Sequence, residues 1–221
     1  IFPEFQPNLD FFDRSFSFVG SCMDELLFYN EKKIQNEKLS NILQFFLPTN
    51  PLKSSNDKNI NQSRLIYMSL GSLVNNNPDI FNAFILAFKQ LKLEPEFVNK
   101  LKIVIAVGNK SFDKIINNDQ DICIVKWAPQ IELLKRASLF ITHCGMNSAL
   151  ESIHYAVPCL CIPLCNDQYL IAERLADHFS LGIKLDPFDL IIEDLKKSMK
   201  QILIDKIYLD IILVVSKNFI I

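Results

Sequence analysis

Seven consecutive residues, Thr142-His143-Cys144-Gly145-Met146-Asn147-Ser148, gather the groups that hold an anionic oxygen. Gly145 permits a tight turn, and the backbone amides of a helix starting there have no partner within the helix. Asn147 and Ser148 add amide and hydroxyl donors. His143 adds a ring nitrogen that becomes cationic once a nearby anion raises its pKa. A phosphate suits such a set. No Lys follows the Gly, so the loop is not of the Walker type. A second turn, Gly71-Ser72, closes an apolar run and offers another hydroxyl. Taken singly, each residue has a plainer role. His143 could be a satisfied structural histidine, Trp127 a core aromatic, Asn147 with Glu151 a capped helix, and Asp167-Gln168 a turn and helix start.

These loops need elements to place them. Apolar runs at 65–70, 103–107, 122–126, 139–142 and 159–163 read as buried strands. Helical patterns fit between most of them, at 130–136, 147–155, 167–178 and 192–204. A further helix has Pro78 in its first turn and Asn76 or Asn77 as its cap. Its Ile80, Phe81, Phe84, Ile85, Phe88 and Leu91 follow at 3.6-residue spacing, a core-facing stripe. Strands that are apolar throughout and alternate with helices imply a parallel sheet covered on both faces. The expected fold is therefore α/β, a doubly wound, Rossmann-like domain over 64–205, in which ligands lie outside the carboxyl ends of the strands. Residues 1–21 alternate Phe with polar residues and are expected to be the trailing edge of a preceding domain. Residues 22–63 contain a charged, helix-compatible stretch and then Pro48, Pro51 and a Ser/Asn/Asp/Lys cluster, which reads as a linker. Residues 206–221 read as a helix that packs on a partner surface and is cut before its natural end.

Composition narrows the function. Of 221 residues, 49% are apolar and 22% charged, so there is material for a core and no disordered character. A net charge of −2 argues against a nucleic-acid binder. No run of about 18 uncharged apolar residues exists, so no spanning helix is expected. The six cysteines form no CxxC pair, and Cys123, Cys159 and Cys161 sit inside apolar runs. That placement argues against zinc and for reduced thiols in a cytoplasmic protein. The chain begins at Ile1 with neither Met nor a signal-peptide pattern, which reads as an internal cut.

Read together, the motifs are far more specific than apart. Trp127-Ala128-Pro129-Gln130, Leu133-Leu134, the run from Thr142 to Glu151, Val157-Pro158, Ile162-Pro163 and Asp167-Gln168 resemble the donor-binding signature of the UDP-dependent glycosyltransferases. Upstream, Ile66-Tyr67-Met68-Ser69-Leu70-Gly71-Ser72 is similar to the first strand of that family's C-terminal domain. The Gly-Met-Asn-Ser core and the short Leu134-to-Phe140 spacing look more like the bacterial macrolide-type branch than the plant one. The resemblance covers about residues 64–205 and implies the C-terminal half of a GT-B glycosyltransferase.

The resemblance also implies roles. Trp127 would stack on the uracil, and Ala128 and Gln130 would present backbone or amide groups to base and ribose. Glu151 would accept hydrogen bonds from ribose hydroxyls. Ser72, His143, Gly145, Asn147 and Ser148 would hold the diphosphate, and Asp167 and Gln168 would bind the transferred sugar. Similar enzymes move a sugar from a UDP-sugar to a hydroxyl of a small lipophilic acceptor with inversion and without a metal. Their general base is a His in the N-terminal domain, so no catalytic residue is assigned here, and that domain would be the partner of this one. Ala156 stands where the pattern usually has Gly, and Ile171 replaces a frequent Asn. Besides a transferase whose N-terminal half precedes this chain, the sequence fits a non-catalytic UDP-sugar-binding module. A nucleotide-sugar epimerase shares the phosphate logic but not Trp127-Ala128-Pro129-Gln130.

Overall fold

The computed structural model describes residues 37–46, 63–71, 78–108, 115 and 119–219. The expectations for 1–21, for the cap at Asn76 or Asn77 and for Ser72 lie outside these residues. Six strands form one parallel sheet: β1 (Arg64–Ser69), β2 (Leu101–Ala106), β3 (Ile122–Val125), β4 (Leu139–Thr142), β5 (Cys159–Cys161) and β6 (Gly182–Lys184). Their spatial order is β3-β2-β1-β4-β5-β6. The chain steps outward from β1 to β3 on one side, crosses back, and steps outward from β4 to β6 on the other. Neighbouring β1 and β4 therefore have their loops diverging in opposite directions, which opens a crevice at their carboxyl ends.

Alternation along each strand divides the core into two layers. On β1, Leu65 and Tyr67 face one side and Ile66 and Met68 the other, all at most 1% exposed. The Ile66 layer is covered by α2 (Pro78–Leu91) and α6 (Ile192–Ile204), with Phe81, Phe84, Phe88 and Leu91 buried as the spacing predicts. The Tyr67 layer is covered by α3 (Gln130–Leu134), α4 (Met146–His154), α5 (Gln168–Glu173) and α7 (Lys206–Phe219). Burial on both faces is why the middle of β1 and most of β4 are apolar, with the Tyr67 and Thr142 hydroxyls as the buried exceptions. In α7, Ile212 and Ser216 are fully buried, and the Ser216 hydroxyl donates to the His154 carbonyl at 3.2 Å.

Three features extend the sequence reading, the first being the core packing of a helix where only a helix-compatible stretch ahead of a linker was expected. Within the expected linker, α1 (Glu37–Phe45) sends Leu39, Ile42, Leu43 and Phe46 into the Tyr67 layer. It is fastened there by Arg136 Nε donating to the Leu43 carbonyl at 3.1 Å and Lys38 Nζ donating to the Ile122 carbonyl at 2.6 Å. Second, β6 pairs with β5 at Cys159↔Gly182, where a Cβ on Gly182 would run into the Cys159 carbonyl. Third, α5 continues directly into a π-helical turn, Arg174–His178. The turn from α4 into β5 places Ala156 at φ 52°, a left-handed conformation that a Cβ disfavours. Among the described residues no helix is long and apolar enough to cross a membrane, and the described cysteines are unbridged.

Candidate functional site

The registers Ser69↔Thr142 and Thr142↔Cys161 bring the ends of β1, β4 and β5 to one rim of the sheet. At the end of β4 the Thr142 hydroxyl accepts the Cys144 amide at 3.1 Å, tightening a turn with Cys144 at φ 64°. The chain then enters α4 at Met146, with Gly145, which has no side chain to cap the helix, extended at the N-cap. The helix thus begins one residue before Asn147, and Asn147 sits within its first turn, exposed, rather than capping it.

His143 lies between two glycines. A Cβ on Gly71 would come within 2.8 Å of its Nε2, and one on Gly145 within 2.7 Å. Gly71 also has φ 77°, so the site needs its missing side chain twice over. His143 Nδ1 is buried with no hydrogen-bond partner, an unusual state for a buried polar atom. Burial pushes the His143 pKa down, while the Ser69 main chain and the Asp167 carboxylate oppose that shift. Burial therefore favours the neutral form of the imidazole.

Ser148 and Glu151 stand three residues apart on one face of α4. Facing them is Gln130, at the start of α3. Its amide nitrogen donates to the Ser148 hydroxyl at 3.1 Å and to a Glu151 carboxylate oxygen. Its carbonyl accepts from the Tyr67 hydroxyl at 3.2 Å. Burial pushes the Glu151 carboxyl up, and the Gln130 amide holds it back. Gln130 therefore turns inward, toward protein groups on both ends of its amide. Just before it, Ala128 is buried, whereas Trp127 is 61% exposed at the carboxyl end of β3. Such exposure removes the plain reading of Trp127 as a core aromatic.

Asp167 is exposed at the head of α5 without capping it. Gln168 folds back on its own loop, its carbonyl accepting the amides of Leu164 at 2.8 Å and Cys165 at 3.1 Å. This steadies the turn through Asn166, which has φ 54°. So β4 and α4 group His143, Gly145, Asn147, Ser148 and Glu151, and Gln130 ties them to the Trp127 loop. Asp167 approaches from β5 through its charge on His143. Sequence reasoning missed Tyr67. The available signal was a lone phenol within an aliphatic strand, whose hydroxyl must find a partner when buried.

Chemically, the rim offers unpaired helix amides, a neutral imidazole, a hydroxyl and an acceptor-only carboxylate beside an exposed indole. The first three suit an anion and the last two a sugar ring carrying a base. Among the described residues no cluster of three or more His, Cys, Asp or Glu could hold a metal ion.

Comparison with known proteins adds to this geometry. Residues 45–219 match the family model described as UDP-glucoronosyl and UDP-glucosyl transferase. The chain is 30% identical over 201 residues to the NDP-glycosyltransferase YjiC of Bacillus licheniformis, covering 89% of this chain and 42% of that protein. It thus spans under half the length of that relative. Among solved structures it resembles the glycotransferase of kitacinnamycin, with a TM-score of 0.73 at 20% identity over 98% of this chain and 48% of that one. It also resembles Os79 from O. sativa in complex with UDP, with a TM-score of 0.61 at 21% identity over 71% of this chain and 36% of that one.

Proposed function

Since the chain belongs to the UDP-glucuronosyl and UDP-glucosyl transferase family, we propose that residues 64–205 are the donor half of a glycosyltransferase and hold a UDP-sugar at the rim of β1, β3, β4 and β5. The observation that carries this reading is the tie through Gln130. It joins the loop bearing the exposed Trp127 to Ser148 and Glu151, on the helix that starts beside His143.

The uracil stacks on Trp127, which is worth about 1–3 kcal/mol for a base on an aromatic face. The ribose hydroxyls donate to Glu151. The diphosphate lies at the α4 amides with Ser148 and Asn147, and His143 Nδ1 gains the partner it lacks. Gly145 lines the same anion, the Ser72 contact that the sequence suggests lying outside the described residues, and the hexose extends toward Asp167 and the loop that Gln168 braces. In the reaction an acceptor hydroxyl forms a bond to the anomeric carbon as the bond to the diphosphate oxygen breaks, with inversion. Negative charge gathers on the leaving diphosphate, where preorganised donors stabilise it most. The acceptor's proton goes to a general base supplied from outside this chain, in an N-terminal domain that also forms the pocket for a small lipophilic acceptor.

Calorimetric titration of the chain tests the donor assignment. UDP is expected to bind at least tenfold more tightly than ADP, because the pyrimidine plate and the ribose carboxylate act together. Equal affinity, or no binding of either, overturns the reading.

A further inference from the structure

Tyr67 takes no part in the function proposed above, yet its hydroxyl reaches into the site from the core. The residue is 1% exposed on a strand paired on both sides, and its ring stacks on Phe140 with centroids 5.1 Å apart and planes at 3°. Its position is therefore fixed by the sheet. Its one polar atom donates to Gln130 Oε1 at 3.2 Å and also hydrogen-bonds the Ser69 side chain.

The direction of each hydrogen bond follows from chemistry. An ionised Glu151 only accepts, so Gln130 must turn its amide nitrogen toward that carboxylate and toward Ser148. The carbonyl end then faces Tyr67, whose hydroxyl must donate. With Gln130 so oriented, Ser148 accepts and keeps its own proton to give away, and the remaining Glu151 oxygen stays open as an acceptor.

We propose that Tyr67 is a positioning residue for the nucleotide's ribose, acting through the Gln130 amide to hold Ser148 and Glu151 in their ligand-ready orientation. This rests on the donor-site reading above. Without the phenol hydroxyl the Gln130 carbonyl loses its donor in the core, and the amide is free to rotate. Glu151, already disfavoured as an anion by burial, then loses the partner that sustains its charge. Tyr67 touches none of the groups assigned to the ligand; its hydroxyl reaches them through Gln130, beside a hydrogen bond with the Ser69 side chain and the nearby Glu151 charge.

Calorimetric titration of UDP and of 2′,3′-dideoxy-UDP, which lacks both ribose hydroxyls, into the full chain and into Tyr67→Phe tests this. The variant is expected to weaken UDP by roughly 3- to 10-fold, the effect of one hydrogen bond, and to leave dideoxy-UDP within about twofold. Gln130→Met is expected to weaken UDP as well, and Tyr67→Phe/Gln130→Met to be no weaker than Gln130→Met alone, as for two groups acting in series. The double variant also removes the stranded carbonyl, so it reads the coupling even if Tyr67→Phe folds poorly. Equal loss for both nucleotides would assign Tyr67 to packing alone. That outcome, no loss for either, or fully additive losses would each overturn the proposal while the donor site stands. A wild-type chain that fails to prefer UDP over ADP removes the donor site itself, and the proposal with it.

Discussion

Glu151 and His143 are both held toward neutrality by burial, with opposite consequences for pH. The Glu151 carboxyl is raised above its ordinary 4.5, so the folded chain keeps that proton to higher pH than the unfolded chain does. Its contribution to stability is full below pH 4.5 and is lost as pH rises through the folded value. Glu151→Gln is therefore expected to leave the protein as stable or more stable at pH 7 in denaturant melts. The same change should weaken UDP by about 1.5–3 kcal/mol, as for hydrogen bonds to a charged group. A loss of stability with affinity intact would mean the carboxylate serves the fold. His143 is lowered from 6.5, so its contribution is full above that pH and declines as pH falls from there toward the folded value. His143→Ala should flatten that acid limb and weaken UDP by about 1–3 kcal/mol; unchanged affinity would mark the imidazole as structural.

The element-scale weak point is the turn from α4 into β5. The Ala156 amide bonds the Ile153 carbonyl and the Val157 amide the Ser152 carbonyl, closing the helix at a position that favours glycine. With Ala156 at φ 52°, Ala156→Gly should relieve more strain than the added unfolded-state freedom costs. A gain of about 0.5–1 kcal/mol is expected, read as a higher melting temperature. A melting point unchanged or lowered would show that the turn carries no strain worth relieving. At this scale the sequence was most legible where burial on both sides of the sheet leaves apolar runs, as in the middle of β1 and the first three residues of β4. Around Gly182-Ile183-Lys184 only Leu181, Ile183 and Leu185 alternate, too short a pattern beside a helix end to stand out, and pairing with β5 makes it β6. Leu39, Ile42, Leu43 and Phe46 fall at helical spacing beside linker-like residues, so a helix was legible there while its place in the core was not. The loop from Thr142 to Ser148 could be found because its chemistry is contiguous. The inward turn of Gln130 and the brace from Tyr67 could not, since both depend on elements far apart in sequence.

For the whole molecule, the sheet order explains why residues from β1, β3, β4 and β5 meet at all. The crossover between β3 and β4 puts β4 beside β1, and every loop leaving a carboxyl end opens on the same rim. The chain spans 42% of the YjiC relative, and no catalytic base is assigned within it. Added UDP should therefore raise its melting temperature by mass action, about 2.7 kcal/mol of stabilisation at a hundredfold excess over Kd. Incubated with a UDP-sugar and a phenolic acceptor it should show no glycoside above background. Turnover would place the base within these 221 residues.

Trp127 is the sole tryptophan in the sequence, and more than half of its surface meets solvent. Its emission should lie at long wavelength, undiluted by any other indole, and a nucleobase settling onto the ring should quench it. The protein thus carries its own optical gauge of occupancy, readable without a label and in the time a mixing experiment takes.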